Sequence, residues 1–127
     1  MDSEIIITVG HLGQLITDYF GDGSRFGVHI EYFTEQTPLG NAGALYQLKD
    51  RLTDNFLLLN ADVVFDVDFS RFVEFHRQRG GLATIFTHPN SHPYDSGLVI
   101  TDGNCAVSQW LAKEDARPAY YRNRVNA

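Results

Sequence analysis

The stretch that decides the fold is residues 37–65, which read TPLGNAGALYQLKDRLTDNFLLLNADVVF. Its two glycines, Gly40 and Gly43, open a predicted helix, and that helix leads into an apolar run, 56–59, that predicts a buried strand followed by Asp62. Glycines at a helix start leave backbone N–H groups open to a ligand. A carboxylate beyond the end of a strand lies where open α/β sheets bind ligands and metals. The stretch therefore predicts a site for a nucleotide and a divalent cation.

The rest of the chain continues an alternation of strand and helix patterns. The first strand is a β-branched run expected to be buried on both faces, and a glycine turn at 21–23 ends the helix that follows it. Ser70 is placed to cap a third helix, with Val73 and Phe75 buried and Gly80 at its end. The predicted strands are 5–9, 28–33, 56–59, 82–87, 98–101 and 107–111, and the first two predicted helices are 12–20 and 42–52. This order predicts one α/β domain with a mainly parallel sheet covered by helices.

Composition restricts the classes of partner. The 127 residues carry a formal net charge of −6, which argues against binding to nucleic acid or to an anionic membrane surface. Small phosphorylated ligands are not excluded, because they need only a few local donors. The single cysteine, Cys105, excludes an internal disulfide framework and a cysteine-based zinc site, and it fits a reducing, cytoplasmic setting. No apolar run approaches the roughly 20 residues of a membrane helix, and the N-terminal residues do not predict a signal peptide.

Each candidate group also has an ordinary structural interpretation. Gly40 would let a base or phosphate approach the backbone and Asn41 would donate from its side chain; alternatively, Asn41 caps a helix and Gly43 allows close packing. Asp62 would bind Mg²⁺ through one carboxylate, with phosphate oxygens and water completing the octahedron, or it simply ends a strand. Lys113, which follows an apolar strand, would neutralise a phosphate or lie in solvent.

Two further sets of polar residues are weaker candidates for metal binding. Asp66 and Asp68 are possible ligands, but they fit better as solvated carboxylates in the loop before the third helix. His88 and His92 have the i to i+4 spacing of a helical zinc pair, but the prolines beside them forbid a helix there. The sequence offers no Ser/His/Asp or Cys/His arrangement for nucleophilic catalysis.

Four blocks of the sequence carry a resemblance to a known family. They are DYFGDGSRFGVHIEY at 18–32, EQTPLGNAGAL at 35–45, FLLLNAD at 56–62 and the terminal VNA at 125–127. Together they resemble the sugar-phosphate nucleotidyltransferases, also called nucleoside-diphosphate-sugar pyrophosphorylases. In detail the chain is similar to the heptose- or mannose-1-phosphate branch, some of whose members are fused to a phosphatase. The resemblance implies a Rossmann-like, three-layer α/β/α core of the GT-A type.

The resemblance also implies a reaction and a set of residue roles. A sugar 1-phosphate attacks the α-phosphorus of a nucleoside triphosphate, with GTP favoured by the branch, and pyrophosphate leaves. Alignment and charge neutralisation would suffice, so no protein nucleophile is needed. Asp62 would hold Mg²⁺, the implied cofactor, Lys113 would meet the sugar phosphate, and Gly97 and Asn126 would contact the sugar. The residues implied to bind the nucleotide are Glu35, Gln36, Leu39, Gly40, Asn41 and Ala42.

The chain departs from the family pattern at several points. Asn41 stands where the family usually has threonine, Ala61 where it has glycine, and Ala112 where a glutamate precedes the phosphate-binding lysine. Tyr94-Asp95-Ser96-Gly97 replaces a Tyr-Gly pair. The glycine-rich triphosphate loop and a second metal-binding aspartate of the family are absent from the sequence. We therefore expect an incomplete core that is inactive alone and that self-associates through unpaired strand edges.

Two other functions stay open at the level of sequence. A GT-A glycosyltransferase shares the architecture and would bind its metal through Asp66 and Asp68. A non-catalytic homologue would bind a nucleotide sugar without turnover. The sequence does not fix the nucleotide or the sugar.

Overall fold

The computed structural model describes residues 4–40, 42–89, 97–115 and 124–126. The chain forms two compact units, Met1–Phe65 and Asp66–Ala127, each with its own sheet. A strand–helix–strand unit with parallel strands opens the chain, which is the predicted α/β pattern. The elements in chain order are β1 (Glu4–Val9), α1 (Gly13–Phe20), β2 (His29–Thr34), α2 (Ala44–Leu48), α3 (Phe69–Arg79), β3 (Thr87–Pro89), β4 (Leu98–Thr101), β5 (Val107–Leu111) and β6 (Arg124–Asn126).

The first unit is built on the parallel pair β1 and β2. The pairing ends with Val9 beside Thr34, and the Glu35 N–H donates to the Val9 carbonyl at 2.8 Å, which extends it by one residue. Helix α1 lies close to the end of β1, since a Cβ added at Gly13 would stand 2.9 Å from the Val9 Cβ. The carboxyl ends of both strands therefore meet at the edge where residue 35 begins a loop. The buried apolar residues of this unit are Val9, Ile30, Ala44 and Leu48.

Side chains hold the turn between α1 and β2. Gly21 ends α1 with a φ of 57°, as predicted, and its carbonyl accepts from the Tyr32 hydroxyl at 2.7 Å. Asp22 Oδ1 accepts from the Ser24 N–H at 3.0 Å. Hydrogen bonds from the Ser24 side chain and backbone stabilise the carboxylate, so the pKa of Asp22 lies below its ordinary value.

The second unit combines α3 with an antiparallel sheet in the strand order β3-β6-β4-β5. Leu98 of β4 is fully buried and pairs with Leu111 of β5 on one side and Val125 of β6 on the other. Phe72 of α3 stacks on Phe86, with ring centroids 3.9 Å apart. The buried apolar residues of this unit are Leu98 and Val99, whereas Phe72 and Phe86 are half-buried.

Helix α3 begins earlier than predicted and has a different cap. Asp68 Oδ1 accepts from the Arg71 N–H at 3.1 Å, so Asp68 is the cap and the prediction of Ser70 is wrong. A carboxylate accepts this bond as well as a serine hydroxyl does, and it also favours the positive end of the helix dipole. Gly80 ends the helix with a φ of 66°, as predicted.

Two predicted strands are not strands in the structure. Residues 56–59 and 82–86 have no ladder partner among the described residues, and the side chains of 56–59 are 42–51% exposed. An apolar run becomes a strand only when a neighbouring strand pairs with its N–H and C=O groups. The described ladders are one parallel and three antiparallel pairs, so the mainly parallel sheet is not observed in this part of the chain. The three-layer arrangement stays a prediction.

The apolar faces are also less buried than predicted. In β1 Val9 is buried, Ile6 and Ile7 are half-buried and Ile5 is 39% exposed, so the predicted burial along both faces is not observed. Val73 and Phe75 of α3 are exposed. A two-stranded sheet beside one short helix cannot cover both of its faces. Helix α2 has five residues instead of the predicted eleven, although hydrogen-bonded turns continue to Leu52.

Candidate functional site

The loop between β2 and α2, residues 35–43, has Leu39 at its middle, which is close to residues at both ends of the loop. From the β2 side, Glu35 Oε2 accepts from the Leu39 N–H at 3.1 Å, and both residues are half-buried. From the α2 side, Gly43 lies against Leu39, because a Cβ added at Gly43 would stand 2.1 Å from the Leu39 carbonyl oxygen. The Leu39 N–H is thus hydrogen-bonded, and its carbonyl lies in space that only a glycine at position 43 leaves open.

Gly40, the next residue, has an open side. Its φ of 73° lies in the left-handed region that favours glycine, and no heavy atom stands within 4 Å of the place where a Cβ would be. Gln36 and Ala42, also predicted to bind the nucleotide, are exposed. The prediction for Asn41 lies outside the described residues. The loop therefore offers a bare, accessible stretch of backbone at the carboxyl end of β2, where α/β sheets bind ligands.

Asp62 is exposed and lies in the turn after 56–60, where the Val63 N–H donates to the Asn60 carbonyl at 3.4 Å. Over the described ranges, no group of three or more His, Cys, Asp and Glu residues is placed to hold a metal ion. Mg²⁺ is commonly held by one or two carboxylates together with the phosphates of its substrate. The donor set at Asp62 fits that shared kind of site, not a site built wholly from protein ligands.

Asp66 and Asp68, the weaker candidates, have different surroundings. One carboxylate oxygen of Asp68 is engaged in capping α3, which accounts for this residue without a metal. Asp66 is exposed. His88 lies on β3, so it is not on a helix, as the flanking prolines predicted, while His92 lies outside the described residues.

The three residues predicted on the sugar side meet at one end of the second sheet. Gly97 directly precedes Leu98, whose partners in the sheet are Leu111 and Val125. Lys113 stands two residues after Leu111, and Asn126 follows Val125 on β6 and pairs with Thr87. The ladder therefore brings the backbones of Gly97, Lys113 and Asn126 to the same end of β4, β5 and β6.

Lys113 projects from a turn that closes β5. Asp115 Oδ2 accepts from the Ala112 N–H at 2.7 Å, and the Asp115 N–H donates back to the Ala112 carbonyl at 3.1 Å. The Lys113 side chain is 64% exposed, and its Nζ lies 3.8 Å from Glu114 Oε1. An exposed pair at this distance contributes little free energy, so the ammonium group can exchange Glu114 for a phosphate at small cost.

Trp110 is a residue at this end of the sheet that the sequence predictions missed. A Cβ added at Gly97 would stand 2.7 Å from Trp110 Cζ2, and the indole is 47% exposed. Gly97 thus accommodates an aromatic ring, which is a packing reason for a glycine at this position. The signal available in the sequence was a lone tryptophan on a strand, VSQWL at 107–111, beside polar residues.

Comparison with known proteins identifies the family. A family model described as nucleotidyl transferase matches residues 1–124. The chain belongs to the nucleotidyl transferase family. It is 36% identical over 124 residues to a UTP–glucose-1-phosphate uridylyltransferase of Synechocystis, which covers 87% of the chain and 32% of that protein.

Mannose-1-phosphate guanylyltransferases are among the other relatives of this nucleotidyl transferase chain. One from Mycobacterium tuberculosis is 33% identical over 97% of the chain and 34% of its own length. The catalytic subunit beta from Dictyostelium discoideum is 30% identical over 98% of the chain and 35% of its own length. The chain therefore spans about a third of the length of these relatives.

The described helices include none that is long and apolar enough to span a membrane.

Proposed function

We propose that the whole protein transfers a nucleotidyl group from a nucleoside triphosphate to a sugar 1-phosphate. An oxygen of the sugar phosphate bonds to the α-phosphorus, the bond from that phosphorus to the bridging oxygen of the β-phosphate breaks, and pyrophosphate leaves. The observation that carries this proposal is the match of residues 1–124 to the nucleotidyl transferase family. The names of the relatives, which are transferases acting on sugar 1-phosphates, support it.

The nucleotide would bind at the loop 35–43. The open backbone at Gly40 would let the flat face of a base approach closely, and the exposed Gln36 side chain would supply hydrogen bonds to a base edge. Asn41 and Ala42 would complete this side of the site. The loop begins at the carboxyl end of a strand in a parallel pair, which supports its role in ligand binding.

The sugar phosphate would bind at the end of the second sheet, around Gly97, Lys113 and Asn126. The exposed Lys113 ammonium would neutralise the attacking phosphate. Gly97 and Asn126 would position the sugar. No side chain has to form a covalent bond, because alignment and charge neutralisation supply most of the catalysis in such transfers.

Asp62 is proposed to hold the divalent cation, for which we favour Mg²⁺. A cation bound there would neutralise charge on the phosphate oxygens. Asp62 itself would orient the cation through one carboxylate, and its exposure leaves room for phosphate ligands.

GTP and mannose 1-phosphate are the substrates we favour. Two of the three relatives above are mannose-1-phosphate guanylyltransferases, and the purine edge suits the hydrogen-bonding groups of Gln36. The Synechocystis relative is named for UTP and glucose 1-phosphate, so that pair is the main competitor. A ratio of kcat/KM for the two substrate pairs decides between them.

A pair of conservative variants tests the proposed function against the glycosyltransferase alternative. Asp62→Asn removes the charge that would hold the cation, so we expect a loss of at least about a hundredfold in metal-dependent turnover. Asp68→Asn is the matched control, because asparagine caps a helix as well as aspartate does. A large loss of metal-dependent turnover in Asp68→Asn, with little loss in Asp62→Asn, would instead favour the glycosyltransferase hypothesis.

We further propose a cytoplasmic protein that forms homo-oligomers. The single cysteine, Cys105, is free and exposed, which suits a reducing compartment. In the described part of the chain β1 and β2 pair only with each other, so each has an edge available for another strand. Light scattering tests the oligomer: a monodisperse monomer across the micromolar range would contradict it.

A further inference from the structure

The Glu35 carboxylate makes a hydrogen bond within the loop, and that bond competes with direct contact to a base. Its carboxylate oxygen Oε2 accepts from the Leu39 N–H at 3.1 Å, in a half-buried position. A carboxylate that accepts from a backbone N–H forms a charge-assisted bond, which is stronger than a bond between neutral groups. An ionised carboxylate is also only an acceptor, so turning it toward a base would leave the half-buried Leu39 N–H without its partner.

Glu35 is anchored to the rigid part of its unit. Its own N–H donates to the Val9 carbonyl at 2.8 Å, which continues the ladder between β1 and β2. Val9 is buried, and Gly13 packs closely against it. The position of the Glu35 carboxylate, and through it the Leu39 N–H, is therefore set by the parallel sheet.

Gly43 provides the space that the same residue occupies. It has helical φ and ψ of −65° and −29°, so its backbone conformation does not require glycine. The space around Gly43 does require glycine, because a Cβ there would stand 2.1 Å from the Leu39 oxygen and 2.7 Å from the Leu39 Cβ. Glu35 thus holds Leu39 through its N–H, Gly43 leaves room for Leu39 in that position, and the open residue Gly40 follows directly.

We propose that Glu35 is a positioning residue of the nucleotide site, which acts by fixing the Leu39 backbone so that the open side of Gly40 faces the base. This assignment rests on the proposed function, since it names the residue that shapes the nucleotide loop. It also replaces the direct contact to the base that the family resemblance implied for Glu35.

Three variants of the whole protein test the assignment. Glu35→Ala removes the acceptor, so we expect KM for the nucleoside triphosphate to rise about tenfold, equal to about 1.4 kcal/mol, with KM for the sugar 1-phosphate unchanged. Glu35→Gln keeps a carbonyl acceptor and is expected to stay within about threefold of wild type. Glu31→Gln is the matched control: it removes a carboxylate from the same strand, where Glu31 pairs with Arg51, and should leave both KM values unchanged.

Amide hydrogen exchange at Leu39, measured by NMR on this chain, reports the same contact without activity. Exchange should accelerate in Glu35→Ala and stay near the wild-type rate in Glu35→Gln. Equal losses of nucleotide affinity in Glu35→Gln and Glu35→Ala, with Leu39 exchange unchanged, would overturn the assignment in favour of direct contact to the base. Active wild type with an unchanged nucleotide KM in Glu35→Ala would refute the positioning role alone. Wild type that neither binds nor turns over any nucleoside triphosphate would refute the proposed function as well.

Discussion

Replacing Gly43 by alanine should have two opposing effects on the stability of the folded chain. Gly43 has helical φ and ψ, so alanine should stabilise the folded chain by about 0.4–1 kcal/mol through lower entropy of the unfolded state. Against this, the new Cβ would stand 2.1 Å from the Leu39 oxygen, roughly 0.9 Å closer than the 3.0 Å that real contacts respect. Overpacking of this kind costs about 1–3 kcal/mol, and it is greater here because the obstructing atom belongs to the backbone.

The clash should therefore prevail, with a net loss of about 2 kcal/mol or more in the free energy of unfolding once the entropic gain is subtracted. Urea denaturation of Gly43→Ala measures this loss, and a rise in KM for the nucleoside triphosphate reports the displaced loop. Gly103→Ala is the control, because Gly103 has no heavy atom within 4 Å of its Cβ position. If Gly43→Ala is as stable as wild type and binds nucleotide equally well, the proposal that Leu39 needs the space left by Gly43 is wrong.

Three further predictions concern other elements. Asp68→Ala removes the cap of α3 and should cost about 1 kcal/mol in urea denaturation; an unchanged midpoint would contradict the cap. Gly97→Ala would place a Cβ 2.7 Å from Trp110, so we expect altered tryptophan fluorescence and about 1 kcal/mol of destabilisation, limited because the indole is half-exposed. Ser24→Ala removes the hydroxyl and keeps the backbone N–H, so it should raise the pKa of Asp22 part of the way toward its ordinary value of 3.8 in an NMR titration, whereas an unchanged pKa would show that the hydroxyl is not a cause.

The effect of Ser24→Ala on stability should depend on pH in a defined direction. Because the pKa of Asp22 is lowered in the folded chain, its contribution to stability is present above the unfolded pKa and is lost as pH falls through the folded pKa. Ser24→Ala removes part of that contribution at neutral pH. Variant and wild type should therefore converge in stability at acidic pH.

Local signals in the sequence predicted the parts of the fold that depend on neighbouring residues. Gly21 and Gly80 end their helices as expected, since a positive φ at a helix end is a local property. The hairpin from β4 to β5 also follows from local chemistry: Asp102 Oδ1 accepts from the N–H groups of Asn104 and Ala106, at 2.8 and 2.9 Å.

Features that depend on distant partners could not be predicted in this way. The run at 56–59 has the composition of a buried strand, but a strand also needs a partner, which composition does not supply. Glu35 was expected near the base because of its place in the motif, whereas its bond to Leu39 depends on the path of the loop. The contact between Gly97 and Trp110 required the register of β4 and β5.

Product formation by the whole protein is the most direct test of nucleotidyl transfer. The protein is incubated with Mg²⁺, each of the four nucleoside triphosphates, and either mannose 1-phosphate or glucose 1-phosphate, and products are identified by mass spectrometry. We expect a nucleoside diphosphate sugar and pyrophosphate in equal amounts, with GTP and mannose 1-phosphate as the best pair. Tight binding of a nucleotide sugar without any such product from any pair would contradict it.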